Sequence, residues 1–209
     1  MLPPTLLELS TNLKKIPGIG QKSSQKLALD LLQLPIEEYQ SFIISLEDAR
    51  TKINFCKVCG FFCEGHLCVF CSSKVRDHSQ ICLVEKTTDL IPLEKSEIYR
   101  GVYHVLGKLI SPLDNIFPEH TNVNKLIERI EEILEQGSLN GKSKSIEIVL
   151  FLKPSFASDT TVAYIRETLE NKGLLNQIKI TRLATGLPLY YNTDTIDQAT
   201  MVRAFEDRK

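Results

Sequence analysis

The sequence predicts a multidomain α+β chain with four parts in order: two short helices joined by a turn, a small four-cysteine site, an α/β domain with a mostly parallel sheet, and a C-terminal helical tail. Three observations support this fold class. Leucines recur at helical spacing before and after a glycine-rich turn, two C-x-x-C pairs follow, and short apolar runs then alternate with amphipathic segments. We place the domains at 1–53, 54–76, 77–175 and 176–209.

The N-terminal segment is predicted to form a helix, a tight turn and a second helix. The turn reads Ile-Pro-Gly-Ile-Gly at 16–20, and a third helix is expected at about 36–51. Gly18 and Gly20 permit a sharp turn, which would point the free amides of the second helix outward, where a phosphate can bind them. Four lysines lie within a stretch that contains no acid: Lys14, Lys15, Lys22 and Lys26.

This arrangement resembles the helix-hairpin-helix motif, whose core reads roughly h-P-G-h-G-x-K. That resemblance implies binding to the DNA backbone without base reading, by the four lysines together with Gly18 and Gly20. Phosphate contacts of this kind are salt-sensitive and independent of sequence. The alternative is a plain helical hairpin with solvated lysines.

Two C-x-x-C pairs separated by eight residues are typical of a closed zinc site. The four ligands are Cys56, Cys59, Cys68 and Cys71. Four thiolates leave no open coordination position, so one structural, non-catalytic Zn²⁺ per chain is expected. Gly60 and Gly65 are suited to the positive φ angles of such turns.

The alternative for these cysteines is a disulfide or a set of buried free thiols. No signal peptide is recognisable at the N-terminus, so we expect a reducing, cytoplasmic location, where paired cysteines more often hold metal. Cys63 and His66 lie close by, but neither belongs to a C-x-x-C pair, and we interpret both as bystanders.

Composition restricts the possible functions. The chain is 43% hydrophobic, which is enough for a core, and its net charge is −1. No apolar run is long enough to span a membrane. A protein that wraps nucleic acid over its whole surface is usually far more basic, so DNA contact must be local or shared among subunits.

The α/β part is predicted from four strand-like runs, at 81–84, 102–106, 146–152 and 178–183. A helix capped by Asn124 and ended by Gly137, and another capped by Ser158 or Asp159, lie between them. Alternating strands and helices imply a mostly parallel sheet with helices on both faces.

Ligands of such sheets gather at the carboxyl ends of the strands, where Glu85, Asp89 and Asp159 are expected. The region resembles the Toprim fold, whose active members hold Mg²⁺ with a glutamate and an Asp-x-Asp pair. Here Lys153 and Ser155 stand where the two aspartates would be. Because Mg²⁺ requires carboxylates, we expect no catalytic site. A Mg²⁺-dependent nuclease or primase-like enzyme is the alternative.

The order of these parts resembles the RecR family of bacterial recombination mediators. The matching segments are Leu-Glu-Lys at 93–95, the run 99–107, Ser-Pro-Leu-Asp at 111–114, and Gly-Leu-Pro at 186–188. The resemblance implies a DNA-binding, non-enzymatic repair protein that works with RecO and RecF to load recombinase onto single-stranded DNA coated by SSB. It also suggests that the acidic Toprim face contacts RecO.

The sequence departs from that family at two places. Lys153 and Ser155 replace the Asn and Thr of the usual Asn-Pro-Thr, Ala157 replaces the first acid of Glu-Gly-Glu, and Asp159 shortens the second. Tyr-Tyr-Asn at 190–192 replaces small glycine-rich residues. Fewer acids in the first segment weaken the expectation of a RecO contact there.

The C-terminal tail is predicted to be a helix at 195–208 with one apolar face, preceded by a possible hinge at Gly186 and Pro188. Such a face must pack on its own domain or on a neighbouring subunit. Together with the resemblance, this favours a homodimer or a ring-shaped homotetramer around DNA, associated with the nucleoid when bound. A third functional hypothesis is a zinc-stabilised adaptor that never touches DNA.

Overall fold

The computed structural model describes residues 2–139 and 145–183, together with Gln198 and Thr200, which are helical. The Gly-Leu-Pro segment at 186–188 and the rest of the predicted tail helix at 195–208 lie outside the described residues. The chain divides into two compact units, Met1–Ile53 and Asn54–Lys209. In the described part of the chain, no helix is both long and apolar enough to cross a membrane.

The first unit consists of three helices, α1 (Pro4–Leu13), α2 (Gln21–Gln33) and α3 (Ile36–Lys52). A buried hydrogen bond between Ser10 Oγ and Ser24 Oγ, 3.0 Å long, joins α1 to α2. Acids occupy the first turn of α3 and basic residues its last turn, which suits the helix dipole. No residue of α3 is buried, so this unit has a small core and a largely exposed third helix.

The second unit begins with a small two-stranded sheet of β1 (Ile53–Phe55) and β2 (Phe62–Glu64) at the first cysteine turn. A four-stranded sheet then follows, formed by β3 (Asp77–Val84), β4 (Gly101–Val105), β5 (Ile146–Phe151) and β6 (Ile178–Arg182). Its strand order is β4-β3-β5-β6, and all three pairings are parallel. The predicted strands and the parallel sheet are confirmed.

Three helices connect these strands: α4 (Leu90–Lys95), α5 (Val123–Leu139) and α6 (Phe156–Asn171). Alternation along the central strand β3 separates the two faces of the sheet, since Ile81 and Leu83 belong to one core cluster and Cys82 and Val84 to another. The first cluster contains the apolar residues of α5 and α6.

The second face carries the short helix α4, in keeping with the prediction of helices on both faces, but in the described part of the chain it is covered mainly by the cysteine segment. The physical reason is that buried cysteines and Phe70 supply the apolar surface that a helix would otherwise provide.

Three predicted boundaries were wrong. The first long helix begins at Val123, so Asn124 lies inside its first turn, and the helix continues past Gly137 to Leu139. Ser155, rather than Ser158 or Asp159, caps α6. The last predicted strand lies in the sheet as expected, since Ile178–Arg182 pairs in parallel with β5.

Candidate metal centre and nucleic-acid interface

The structure brings together the four cysteines that the sequence assigns to one metal ion. The sulfur atoms of Cys56, Cys59, Cys68 and Cys71 all lie within 4.8 Å of one another. A tetrahedral Zn²⁺ with bonds of about 2.3 Å would hold its sulfurs about 3.8 Å apart, and the Cys59 and Cys68 sulfurs are 3.4 Å apart. All four residues are free thiols, so the donor set and its spacing fit a tetrahedral metal ion.

The backbone of the first cysteine turn requires glycine. Gly60 has a φ of +73°, and its amide donates to the carbonyl of Cys56 over 3.0 Å. A Cβ at this position would lie 2.8 Å from Asn122 Nδ2 and 3.0 Å from the Val105 carbonyl oxygen. Gly65 also has a positive φ, as predicted. Conformation and close packing therefore both select glycine at position 60.

The two bystander residues remain outside the cluster. The Cys63 thiol is buried and donates to the Gly65 carbonyl over 3.2 Å, and His66 is exposed. Within the cluster, hydrogen bonds from the Cys59 and Cys71 thiols lower the pKa of Cys68. A thiolate is the form that binds metal, and Cys68 is the member of the cluster closest to that form, whereas the same contact raises the pKa of Cys59.

The cysteine segment is fixed to the sheet by main-chain and aromatic contacts. The Val105 amide donates to the Cys59 carbonyl over 2.8 Å, and the Phe70 and Tyr103 rings meet edge to face at 5.1 Å. The Arg76 guanidinium lies 4.8 Å from the Phe70 ring centroid and forms a two-pronged ion pair with Glu94 of α4. Sequence reasoning missed this role of Arg76, because nothing in the spacing of the residues marks its partner.

The basic hairpin of the first unit is open at the start of α2. Gly18 has a φ of +88°, and Gly20 precedes the helix without any side-chain cap. A Cβ at either glycine would meet nothing within 4 Å. The start of α2 therefore has no side-chain cap for its amides and lies beside an open turn. Four exposed lysines occupy the turn and the helix after it: Lys14, Lys15, Lys22 and Lys26.

The predicted acidic residues are only partly brought together. Glu85 and Asp89 line a pocket of about 670 Å³ at the carboxyl ends of β3 and β5, together with Lys153. Asp159 is absent from its lining and pairs with Arg182 of β6 over 2.9 Å. Among the described residues, the four cysteines are the only group of three or more Cys, His, Asp and Glu positioned to hold a metal ion.

Asp89 and Ser155 at this edge already have structural partners. The Asp89 carboxylate accepts from the Lys86 amide over 2.7 Å. Ser155 Oγ accepts from the Ser158 amide, and Ser158 Oγ accepts from the Ser155 amide. The edge therefore consists of caps and ion pairs rather than a carboxylate cage.

Comparisons with known proteins agree with this architecture. Residues 6–50 match the family described as "RecR, helix-hairpin-helix", and residues 79–184 match the Toprim domain. The protein named "Recombination protein RecR" of Moorella thermoacetica is 39% identical over 206 residues, 99% of this chain and 96% of that protein. The proteins of the same name in Bifidobacterium adolescentis and Gloeothece citriformis are 37% and 34% identical, covering 93% and 100% of this chain and 90% and 98% of their own lengths. On this similarity over nearly the whole of each chain, the chain belongs to the RecR family.

Proposed function

We propose that this chain is a DNA-binding recombination mediator that binds the DNA backbone through its helical hairpin and catalyses no reaction. The observation that carries this proposal is the uncapped start of α2, where free amides and four exposed lysines surround an open turn. The relatives' shared name, "Recombination protein RecR", supports a place in recombination.

Contact at this hairpin would be made to phosphates rather than to bases. Amides at a helix start and lysine side chains recognise an anion and carry no sequence information. The protein would therefore bind DNA of any sequence and associate with the nucleoid. A zinc-stabilised adaptor that never touches DNA is the competing function, and a binding titration with labelled DNA separates the two.

The four-cysteine centre is proposed to hold structural Zn²⁺. All four ligand positions are protein thiols, which leaves no position for a substrate or a catalytic water. The ion would hold together a segment whose two small strands have only three residues each. Its contribution is stability, since structural zinc binding is coupled to folding.

The absence of catalysis is proposed from the edge of the sheet. Lys153 lies in the same pocket as Glu85 and Asp89, and its ammonium group opposes a divalent cation there. Ser155 is engaged in capping α6. We expect no cleavage or synthesis of labelled DNA with Mg²⁺ or Mn²⁺. Robust activity that disappears in Glu85→Ala would favour the nuclease alternative.

The proposed partners are RecO and RecF, with which the chain would help to load recombinase onto SSB-coated single-stranded DNA. Glu85 and Asp89 are proposed as part of the RecO contact, with Lys153 lowering its negative charge. The test is a reconstituted loading reaction with recombinase, SSB-coated DNA, RecO and RecF. Omitting the chain should slow loading, and Lys22→Glu/Lys26→Glu should behave like the omission. Loading at the full rate with that variant would separate the hairpin from the function.

A further inference from the structure

A second pocket, of about 410 Å³, lies beside the first cysteine turn in the second unit. Its walls include two phenylalanines of the small sheet, Phe55 and Phe62, and two lysines, Lys86 and Lys125. It adjoins the acidic edge of the sheet, whose pocket shares Lys86 with it, and neither the metal centre nor the proposed DNA contact of the hairpin uses its side chains.

The two phenylalanines present aromatic surface to solvent. Phe55 is 66% exposed and Phe62 is 46% exposed. Their rings are stacked, with centroids 5.4 Å apart and planes inclined by 28°. Along β2 the middle residue Cys63 is buried while Phe62 and Glu64 are exposed. The alternation of the strand therefore places Phe62 outward, where about half of its surface stays exposed.

The charge of this pocket favours an anionic ligand. Lys86 and Lys125 both line it, and no aspartate or glutamate does so among the described residues. Lys86 is 66% exposed at its side chain, and its Nζ lies 3.9 Å from Glu85 Oε1, a loose pair that leaves the ammonium accessible. A cation pair beside an aromatic pair fits a ligand with both a flat apolar surface and a negative charge.

We propose that this pocket is a subsite for single-stranded nucleic acid, in which a base stacks on the Phe55 and Phe62 rings while Lys86 and Lys125 hold the adjoining phosphate. Stacking platforms beside basic residues bind single strands without sequence preference, because every base has a π face. Bases inside a duplex are already stacked, so this subsite distinguishes single strands from duplex. The inference rests on the proposed DNA-binding function and adds a strand preference that the hairpin phosphate contacts do not supply.

The test compares three fluorescent ligands by anisotropy: oligothymidylate of about 15 nucleotides, an abasic strand of the same length, and a blunt duplex. Removing both rings in Phe55→Leu/Phe62→Leu should weaken oligothymidylate binding about five-fold to a hundred-fold. Affinity for the abasic strand and the duplex should stay within about two-fold. Phe62→Tyr keeps the ring and should keep the affinity. Lys86→Gln/Lys125→Gln should weaken binding to both single strands.

The matched control is Phe156→Leu, at a phenylalanine that is 73% exposed and outside the pocket. It should bind all three ligands as the parent protein does. The zinc content and melting temperature of each variant show whether the cysteine segment is folded. The lysine variant changes no residue of that segment, so it tests the pocket even if the phenylalanine variant does not fold.

Two results would overturn the inference alone. One is unchanged oligothymidylate binding in both pocket variants, while Lys22→Gln/Lys26→Gln weakens it. The other is an equal loss on the abasic strand in the phenylalanine variant, which would make the rings an ordinary apolar contact, such as a docking surface for a protein segment. A parent protein that binds no DNA at all would instead refute the proposed function itself.

Discussion

Ser155 shows how a single residue can change the use of a position. The Toprim resemblance places an aspartate there for Mg²⁺. In this chain the Ser155 hydroxyl accepts from the Ser158 amide and caps α6, while the Ser158 hydroxyl returns the bond. A serine so engaged adds no negative charge to the pocket that contains Glu85, Asp89 and Lys153. At this position the serine therefore serves as a helix cap rather than as a metal ligand.

At the four-cysteine centre, Cys56→Ser should release most of the bound zinc and lower the free energy of unfolding by on the order of 4 kcal/mol, because loss of a structural metal is among the largest single-residue effects. Cys63→Ser is the matched control, since its thiol only donates to the Gly65 carbonyl and a hydroxyl can do the same. Elemental analysis and thermal melts measure both. Protein purified without chelator that contains no zinc would contradict the prediction.

His104 makes stability depend on pH. Its imidazole is fully buried, and burial lowers its pKa to about 3. In the unfolded chain His104 is protonated as the pH falls through about 6.5, whereas in the folded chain it stays neutral at that pH. Stability should therefore be complete above about pH 6.5 and fall as the pH drops below it, by about 1.4 kcal/mol per pH unit from this residue.

The measurement is chemical unfolding between pH 7.5 and pH 5.5 with zinc in excess. His104→Gln should be less stable at neutral pH, because it loses packing and the bond between His104 Nε2 and the Asn122 carbonyl. Its stability should decline less steeply with acid than that of the parent. Equal slopes for the two proteins would place the pH dependence in other groups.

At the scale of elements, the hairpin combines a glycine that needs a left-handed φ with an exposed lysine face on α2. Gly18 needs its left-handed φ of +88°, whereas Gly20 has a φ of −83° that any residue can adopt. The buried Ser10–Ser24 bond sets the two helices against each other. Lys22 and Lys26 lie four residues apart on α2, so they share one face of that helix.

Replacing this lysine face should change the salt dependence of binding. Lys22→Gln/Lys26→Gln should lower the slope of log affinity against log salt by roughly one to two units, at about 0.9 per duplex phosphate contact. Lys22→Glu/Lys26→Glu should weaken binding to all sequences alike. Lys95→Gln, on the short helix α4 of the other unit, is the control. Unchanged affinity in the Glu variant would place the DNA site elsewhere.

At the scale of the whole molecule, the first unit exposes more apolar surface than a single hairpin needs. Large exposed side chains of α3 include Ile36, Phe42, Ile44 and Leu46, and patches of this kind mark sites of protein association. A few phosphate contacts per chain give weak binding, and joining several hairpins raises their effective concentration. Both considerations favour a dimer, or a ring of four subunits around DNA.

Truncation after Leu187 tests whether the C-terminal tail contributes a contact between subunits. It should lower the solution mass and weaken DNA binding together, because losing the subunit contact removes the linkage among hairpins. Light scattering with and without DNA measures the mass, and anisotropy measures the affinity. A full-length protein that stays monomeric at every concentration, and binds DNA as tightly as the truncated form, would refute it.

Local patterns in the sequence were sufficient for much of this protein. The cysteine spacing alone identified a set of four thiols that converge, because C-x-x-C fixes two sulfurs on one short turn. Apolar runs located the four strands of the sheet, and the glycines at 60 and 65 were assigned positive φ from their turns. The boundaries around Asn124 and Ser155 were missed, since several neighbouring polar residues can cap a helix equally well by sequence.

Only the tertiary structure decided what depends on contacts distant in the sequence. It placed the cysteine segment, instead of a second long helix, on one face of the sheet, where Arg76 joins Phe70 to Glu94. It separated Asp159 from Glu85 and Asp89 by pairing it with Arg182 of the last strand. It also brought Phe55 and Phe62 beside Lys86 and Lys125. The sequence by itself determined the four parts of the chain and their local chemistry, because these follow from turns and periodicity. The contacts between side chains of different parts were set by the packing of strands that are up to about a hundred residues apart along the chain.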